Sequence, residues 1–159
     1  MLKQPLKNHV AVLLDVSGSM SQLLPQVKKI FDNQIEFLRK TSVLNEQETR
    51  VSVYAFSNNV ECLIFDVDVA RPMEIRQLKA MSSTSMLDAI GQSLEDFKLL
   101  PEKYGDHAFI VYVLSDGEEN TSRNFNAQTM KKLLSQLPEN YSVCAFAPTV
   151  NAVTLLKAY

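Results

Sequence analysis

The stretch HVAVLLDVSGSM, residues 9–20, passes directly from a run of apolar residues into a loop of one aspartate and two serines. Residues 10–14 are apolar without interruption, which is the pattern of a strand covered on both faces of a parallel sheet. Residues 109–114 repeat this pattern and are followed by the polar stretch SDGE at 115–118. We therefore predict two central strands that each end in a polar loop.

Helical and strand patterns alternate along the rest of the chain. Apolar residues recur every three or four positions over 24–38 and 87–97, which predicts two amphipathic helices. The apolar stretches 51–56 and 60–65 are separated only by Ser-Asn-Asn at 57–59, which predicts a hairpin with an antiparallel edge strand. The other predicted elements are a short helix at 73–79, a helix at 127–137, a strand at 143–147 and the start of a helix at 151–159.

This order of elements predicts the fold class. Strands that alternate with helices favour a doubly wound, Rossmann-like α/β fold with a mostly parallel central sheet, one antiparallel edge strand and helices on both faces. In such folds, ligands bind beyond the carboxyl ends of the strands, where the winding direction reverses. The loops at 15–19 and 115–118 are therefore the first places at which a site is expected.

Composition limits the class of protein. The 159 residues, 46% of them hydrophobic, predict one domain over 1–159. A formal charge of −2 argues against nucleic acid as a partner. The longest apolar run, 108–114, is far shorter than the ~20 residues of a membrane span. Residues 1–7 lack the apolar core of a signal peptide, so we expect a cytoplasmic protein with no membrane insertion.

Cys62 and Cys144 lie apart in apolar stretches and are predicted to be buried free thiols.

The loop after the first central strand has the chemistry of a metal site. Asp15, Ser17 and Ser19 alternate along it, so their side-chain oxygens can point to one side, and Gly18 permits the bend between the serines. Carboxylate and hydroxyl oxygens suit a hard cation such as Mg²⁺, which prefers six oxygens in near-octahedral geometry. Asp116, after the other central strand, adds a second carboxylate.

Three separated stretches resemble the metal-ion-dependent adhesion site (MIDAS) of von Willebrand factor A domains. They are DVSGSM at 15–20, TSMLDAI at 84–90 and LSDGE at 114–118. The resemblance covers nearly the whole chain in the family's order, and the chain is similar to intracellular bacterial or phage members. A lone Asp-x-Ser-x-Ser motif is weak evidence, whereas three such elements at predicted strand or helix ends are strong evidence.

The resemblance implies a metal-dependent contact with another protein. Ser17 and Ser19 would ligate the metal directly, Thr84 directly or through water, and Asp15 and Asp116 directly or by holding coordinated waters. One position would remain for an oxygen of the partner, commonly a carboxylate. The implied cofactor is Mg²⁺, with Mn²⁺ or Ca²⁺ as alternatives, and the implied role is binding and not catalysis.

The chain also departs from the family pattern. Family members usually continue through a full helix, a sixth strand and a final helix, so the resemblance implies a domain that lacks the C-terminal strand and helix and is truncated or minimal. The Gly-Gly pair that often precedes the family's threonine is Ser82-Ser83 here. This replacement is expected to change the mobility of the loop and not the ligand itself.

Two other functions stay open on the sequence alone. Metal-bound water can attack phosphate or acyl groups, which would make the chain a metal-dependent hydrolase or phosphatase. Against this, His9 and His107 precede the central strands and should lie opposite the predicted site, and no nucleophile-elbow or phosphate-loop motif is present. The third function is a scaffold whose metal is only structural.

Local structural roles are the simplest explanation of single residues. Ser19 and Thr84 could cap helices, and Asp116 could end a strand in a turn. Glu118 and Glu119 are predicted to be solvated loop charges. Helix capping does not, however, require two aspartates, two serines and a threonine to gather between two central strands.

Overall fold

The computed structural model describes residues 5–75, 77–100 and 106–146. The described residues form one five-stranded sheet with helices on both faces. In chain order the elements are β1 (Lys7–Asp15), a one-turn 3₁₀ helix (Gly18–Met20), α1 (Leu24–Leu44), β2 (Glu48–Phe56), β3 (Val60–Asp68), α2 (Met86–Phe97), β4 (His107–Leu114), α3 (Ala127–Ser135) and β5 (Tyr141–Phe146).

The order of the strands confirms the predicted fold class. The sheet runs β3-β2-β1-β4-β5, and every neighbouring pair is parallel except β2 and β3. The chain passes from β1 to β2 on one side, whereas β4 pairs with the other side of β1, so the winding direction reverses between β1 and β4. The carboxyl ends of these two strands therefore flank the crevice in which doubly wound sheets bind ligands.

Two apolar layers cover the central strands. Alternate residues of β1 face opposite sides, as the pleat requires. Val10, Val12 and Leu14 pack with α1, while Ala11 and Leu13 pack with α2 and with Met130 of α3. The apolar residues predicted to face the sheet from α1 are buried at Val27, Phe31, Ile35 and Leu38. Burial on both faces explains the continuous apolar runs at 10–14 in β1 and 108–114 in β4.

The predicted helix at 73–79 is wrong for the described residues of that segment, which have irregular backbone. β3 is antiparallel to β2 and ends at the amino edge of the sheet, whereas α2 begins near the carboxyl edge. The connection must therefore run back along the sheet. A helix would cover only ~1.5 Å of this distance per residue, whereas extended chain covers ~3.3 Å per residue. Ile75 and Leu78 attach the connection to the core on the α1 side.

Three other predictions concern the edges and ends of the fold. Cys62 and Cys144 are free thiols, but both are exposed and not buried as predicted. They belong to β3 and β5, the outer strands of the described sheet, where neighbouring strands and helices cover less surface. The helix expected at 151–159 lies outside the described residues. Among the described residues, no helix combines the length and the apolar character needed to cross a membrane.

Candidate metal site

The carboxylate of Asp15 is buried at the end of β1 and is held from two sides. Its Oδ1 accepts a hydrogen bond from the backbone N–H of Ser17 at 2.8 Å, and its Oδ2 accepts one from the Ser115 hydroxyl at 2.6 Å. Asp15 is the last residue of β1 and Ser115 is the first residue after the neighbouring parallel strand β4, so their contact joins the carboxyl ends of the two central strands. These two hydrogen bonds fix the orientation of the Asp15 carboxylate.

The hydroxyls of Ser17 and Ser19 lie side by side. Their Oγ atoms are 3.1 Å apart, which is close to the ~3.0 Å between adjacent ligand oxygens in an octahedron with Mg–O distances of ~2.1 Å. Gly18, between them, is tightly confined, since a Cβ atom there would lie 3.1 Å from the carbonyl oxygen of Met81. The bend that brings the two hydroxyls together therefore leaves little room for a side chain at position 18.

Asp116 follows Ser115, which is the first residue after β4 and is buried. The Ser115 hydroxyl also accepts a hydrogen bond from the backbone N–H of Gly117 at 3.1 Å. Gly117 has a φ of 87°, a conformation that glycine adopts without steric cost. Asp116 is partly exposed, and its own Oδ1 accepts a hydrogen bond from the N–H of Glu118 at 3.2 Å. The second carboxylate of the predicted set thus lies toward the solvent side of the site.

The Thr84 loop contacts the first loop and is tied to the hairpin turn. The backbone N–H of Met81 donates to the carbonyl of Val16 at 2.8 Å. The Asn58 Oδ1 accepts hydrogen bonds from the Ser82 hydroxyl at 3.3 Å and from the Ser83 N–H at 3.0 Å. The two serines that replace the family's glycine pair therefore attach this loop to the β2–β3 turn.

The hydroxyl of Thr84 is buried and has no hydrogen-bond partner in the part of the chain that the structure describes. Thr84 is 1% exposed, and its Oγ1 has no hydrogen-bond partner among the described residues; the same holds for the hydroxyls of Ser85 and Thr121 nearby in the fold. An unsatisfied buried hydroxyl costs about 1–3 kcal/mol. A cation that accepted the Thr84 oxygen as a ligand would remove this penalty.

The electrostatics of the two aspartates also fit a cation. Burial, and to a smaller extent the nearby charge of Asp116, raise the pKa of Asp15, although hydrogen bonds from Ser115 and Ser17 oppose the shift. Two carboxylates near each other are costly until a positive charge is placed between them. The oxygen donors of the five predicted residues are chemically suited to a hard divalent cation. In the described ranges, no group of three or more His, Cys, Asp or Glu residues could hold a metal, so this set depends on its hydroxyls.

Sequence reasoning missed two acidic residues that hold the loops in place. Glu119 is not a solvated charge, because its carboxylate accepts hydrogen bonds from the N–H groups of Leu87, Thr121 and Ser122 and from the Ser122 hydroxyl. Asp88 accepts bonds from the three consecutive N–H groups of 123–125. Both join the start of α2 to the loop after Asp116, a pairing that sequence spacing does not indicate. Glu118 is exposed, as predicted.

The two histidines lie at the opposite edge of the sheet, as predicted. His9 Nε2 is 3.0 Å from His107 Nδ1, and His9 Nδ1 is 3.4 Å from Asp66 Oδ1. The His9 ring stacks on Phe109 with centroids 5.1 Å apart. Since β1 and β4 separate these rings from Asp15 and Asp116, neither histidine can act as a base at the candidate metal site.

Acidification is expected to destabilise the fold through His9. Burial lowers the pKa of His9 from its ordinary 6.5, and the attraction of Asp66 opposes this only in part. The unfolded chain then binds the proton more readily than the folded chain, so the stabilisation is complete above pH 6.5 and is lost as the pH falls through the folded-state pKa. Urea unfolding between about pH 7.5 and about pH 5.5 should show this loss.

The matching variant is His9→Gln, which should give a flatter dependence of the unfolding free energy on pH over the same interval. The comparison cancels the contribution of Asp15, whose raised pKa acts in the opposite direction in both proteins. Equal slopes for the wild-type protein and the variant would assign the pH dependence to other groups.

Fold and loop geometry together define a doubly wound α/β domain whose polar loops converge at the switch between two central strands. The sequence model of the von Willebrand factor type A domain matches residues 10–119, so the chain belongs to this family. Members of this family commonly mediate protein interactions. The comparison with curated proteins gives no match.

Solved structures of this fold match most of the chain. The ArnB paralog VWA2 of Sulfolobus acidocaldarius is 26% identical, with a TM-score of 0.52 over 86% of this chain and 33% of that one. BatB of Bacteroides thetaiotaomicron is 17% identical, with a TM-score of 0.61 over 87% and 65%. Proximal thread matrix protein 1 of the mussel byssus, solved with a zinc-occupied MIDAS, is 14% identical, with a TM-score of 0.58 over 98% and 40%. The chain thus spans between a third and about two thirds of these proteins.

Proposed function

We propose that this domain binds a partner protein through a Mg²⁺ ion held by Asp15, Ser17, Ser19, Thr84 and Asp116. The observation that carries the proposal is the buried Thr84 hydroxyl, which has no hydrogen-bond partner among the described residues and lies in a loop that contacts the Asp15 loop. Local capping roles do not explain it, since a cap would use that hydroxyl.

The ligand set gives each residue a distinct role. Asp15 and Asp116 supply two negative charges that balance the dication, and the three hydroxyls supply neutral oxygens. Asp15, Ser17 and Thr84 are buried, whereas Ser19 is exposed and Asp116 partly exposed. We therefore place the open side of the site beside Ser19 and Asp116. When bound, the cation supplies the positive centre that a carboxylate of the partner would contact.

The choice of Mg²⁺ rests on the chemistry of the donors. Every proposed ligand atom is oxygen, and an all-oxygen set favours Mg²⁺, Mn²⁺ or Ca²⁺ over metals that prefer nitrogen or sulfur. The zinc-occupied MIDAS of the mussel protein supports a divalent cation at this place in the fold. Mn²⁺ is the practical probe, because it takes oxygen ligands as Mg²⁺ does.

We propose binding without catalysis. A metal-dependent hydrolase would need a group that activates or protonates the reacting atoms, and the two histidines lie at the other edge of the sheet. The hydrolase alternative is tested by the same proteins, because turnover of a phosphate ester that depends on metal and disappears in Ser17→Ala protein would replace the proposed function.

Calorimetric titration with Mn²⁺ and Mg²⁺ tests the metal site. The wild-type chain is expected to bind one ion, and Ser19→Ala to weaken binding by ~10-fold or more, since it removes a direct ligand. Ser21→Ala is the matched control, because Ser21 is an exposed serine two positions further on and outside the ligand set. Wild-type affinity in Ser19→Ala protein would overturn the assigned site.

Affinity capture in Mg²⁺ and in EDTA tests the contact with a partner. Proteins retained by wild-type domain in Mg²⁺ should be lost in EDTA and with Asp116→Ala, but kept with Ser21→Ala. Replacing acidic residues of the captured protein should then abolish its retention. Equal capture in EDTA would instead favour a scaffold with a structural metal.

A further inference from the structure

The main chain of Thr84 is held by two consecutive residues of the loop that follows β4. Its N–H donates to the side-chain Oδ1 of Asn120 at 2.9 Å. Its carbonyl accepts hydrogen bonds from the N–H groups of Asn120 and Thr121, each at 3.0 Å. Both backbone polar groups of Thr84 are thus bonded to the same short segment. Its hydroxyl, by contrast, has no hydrogen-bond partner among the residues that the structure describes.

The same loop is fastened to the first turn of α2 by the Glu119 carboxylate. This carboxylate accepts the N–H of Leu87, three residues after Thr84, and also the N–H groups of Thr121 and Ser122 inside its own loop. The loop therefore cannot shift without breaking several charge-assisted hydrogen bonds, each worth about 1.5–3 kcal/mol. It forms a rigid support for the Thr84 segment.

Asn120 is exposed, whereas Glu119 and Thr121 on either side of it are partly buried. Its side-chain Oδ1 accepts a hydrogen bond from the N–H of Thr84, which lies 36 residues away in the sequence. Asn120 also follows Asp116 by four residues. It therefore connects the positions of two proposed metal ligands that belong to different loops.

We infer that Asn120 is a positioning residue, which sets the place of the Thr84 hydroxyl at the metal and couples Thr84 to the Asp116 loop. The inference rests on the proposed metal site. Asn120 acts through the Thr84 backbone and contacts no metal itself. Residues that orient ligands in this way typically change metal affinity by about 10- to 100-fold when they are replaced.

A double-mutant cycle on Mn²⁺ affinity separates this role from general support of the fold. Asn120→Ala should weaken Mn²⁺ binding by about 10- to 100-fold, while Asn120→Asp, which keeps the acceptor oxygen, should restore most of the affinity. In a Thr84→Val background the hydroxyl ligand is already gone, so Asn120→Ala should cause little further loss. Asn124→Ala is the control, since Asn124 is an exposed asparagine of the same loop.

Each outcome decides the inference. Mn²⁺ affinity within twofold of the wild-type value in Asn120→Ala protein would overturn it. So would an Asn120→Ala effect of the same size in the wild-type and Thr84→Val backgrounds, because Asn120 would then act on other ligands. Urea unfolding without metal shows whether each variant is folded. If wild-type protein binds no Mn²⁺, the proposed metal site itself fails, and this result is distinct from the other two.

Discussion

Replacing Asp15 by asparagine is expected to make the metal-free protein more stable and to abolish its stabilisation by metal. Asp15 is 0% exposed, and burial raises the pKa of its carboxyl, so the fold disfavours the ionised form of this group. Asparagine removes that charge at nearly constant volume. Substitutions of this kind at functional sites commonly add about 0.5–2 kcal/mol to the free energy of unfolding.

The hydrogen bonds around position 15 can adapt to the amide. Its oxygen can still accept from the Ser17 N–H, and its NH₂ group can donate to the Ser115 hydroxyl, which is able to accept as well as donate. The loss is confined to the negative charge, which a bound dication needs. We expect Mn²⁺ affinity to fall by at least ~100-fold, beyond the range seen when residues that only orient a ligand are replaced.

Thermal or urea unfolding with and without Mn²⁺ measures both effects in one experiment. Metal at about 100 times its dissociation constant should stabilise the wild-type protein by ~2.7 kcal/mol and Asp15→Asn protein hardly at all, so the order of stability should reverse. Asp32→Asn is the matched control, because it removes an exposed aspartate of α1 that pairs with Lys28. If metal stabilises the Asp15→Asn protein as much as it stabilises the wild-type protein, Asp15 is not part of the site.

The parts of the fold that could be predicted from the sequence are those that depend on periodic burial. Continuous apolar runs correctly indicated β1 and β4, and the three-residue stretch 57–59 correctly indicated the hairpin and its antiparallel edge. The helix at 73–79 was predicted from local pattern alone. The described residues of that segment are not helical, because β3 ends at the amino edge and the chain must return along the sheet. Only the complete topology imposes this requirement.

In the candidate site, too, some residues could be proposed from the sequence and others could not. Its five residues are proposed from three short stretches, because each lies at the end of a strand or before a helix, where the loops of a doubly wound sheet converge. The support of the site could not be named. Glu119, Asn120 and Asp88 accept hydrogen bonds from backbone N–H groups more than thirty positions away. Every residue type except proline has a backbone N–H, so the sequence does not indicate such a partner.

Gly91 gives a case in which helix propensity predicts the wrong sign. Replacing glycine by alanine within a helix usually stabilises by up to ~1 kcal/mol. A Cβ atom at Gly91 of α2 would, however, lie 2.1 Å from Cε2 of Phe125 and 2.5 Å from two further atoms of that ring. The ring packs against the core on the α2 side, so Gly91→Ala must displace it. We expect the free energy of unfolding to fall by about 1–3 kcal/mol.

The second residue of the pair provides the decisive comparison. Phe125→Ala alone should lower the free energy of unfolding by less than the about 3–5 kcal/mol of a fully buried phenylalanine, because this ring is partly buried. In that background the space beside Gly91 is open, so adding Gly91→Ala should now stabilise the helix. A change of sign between the two backgrounds, measured by urea unfolding, would show that the close approach of Phe125 requires glycine at position 91. If Gly91→Ala stabilises both proteins, the ring yields without loss and propensity alone governs the position. Because Asp88 holds the N–H of Phe125 at 3.0 Å, one turn of α2 fixes both the backbone and the ring of this residue, and we expect the ring to lack a second favourable position.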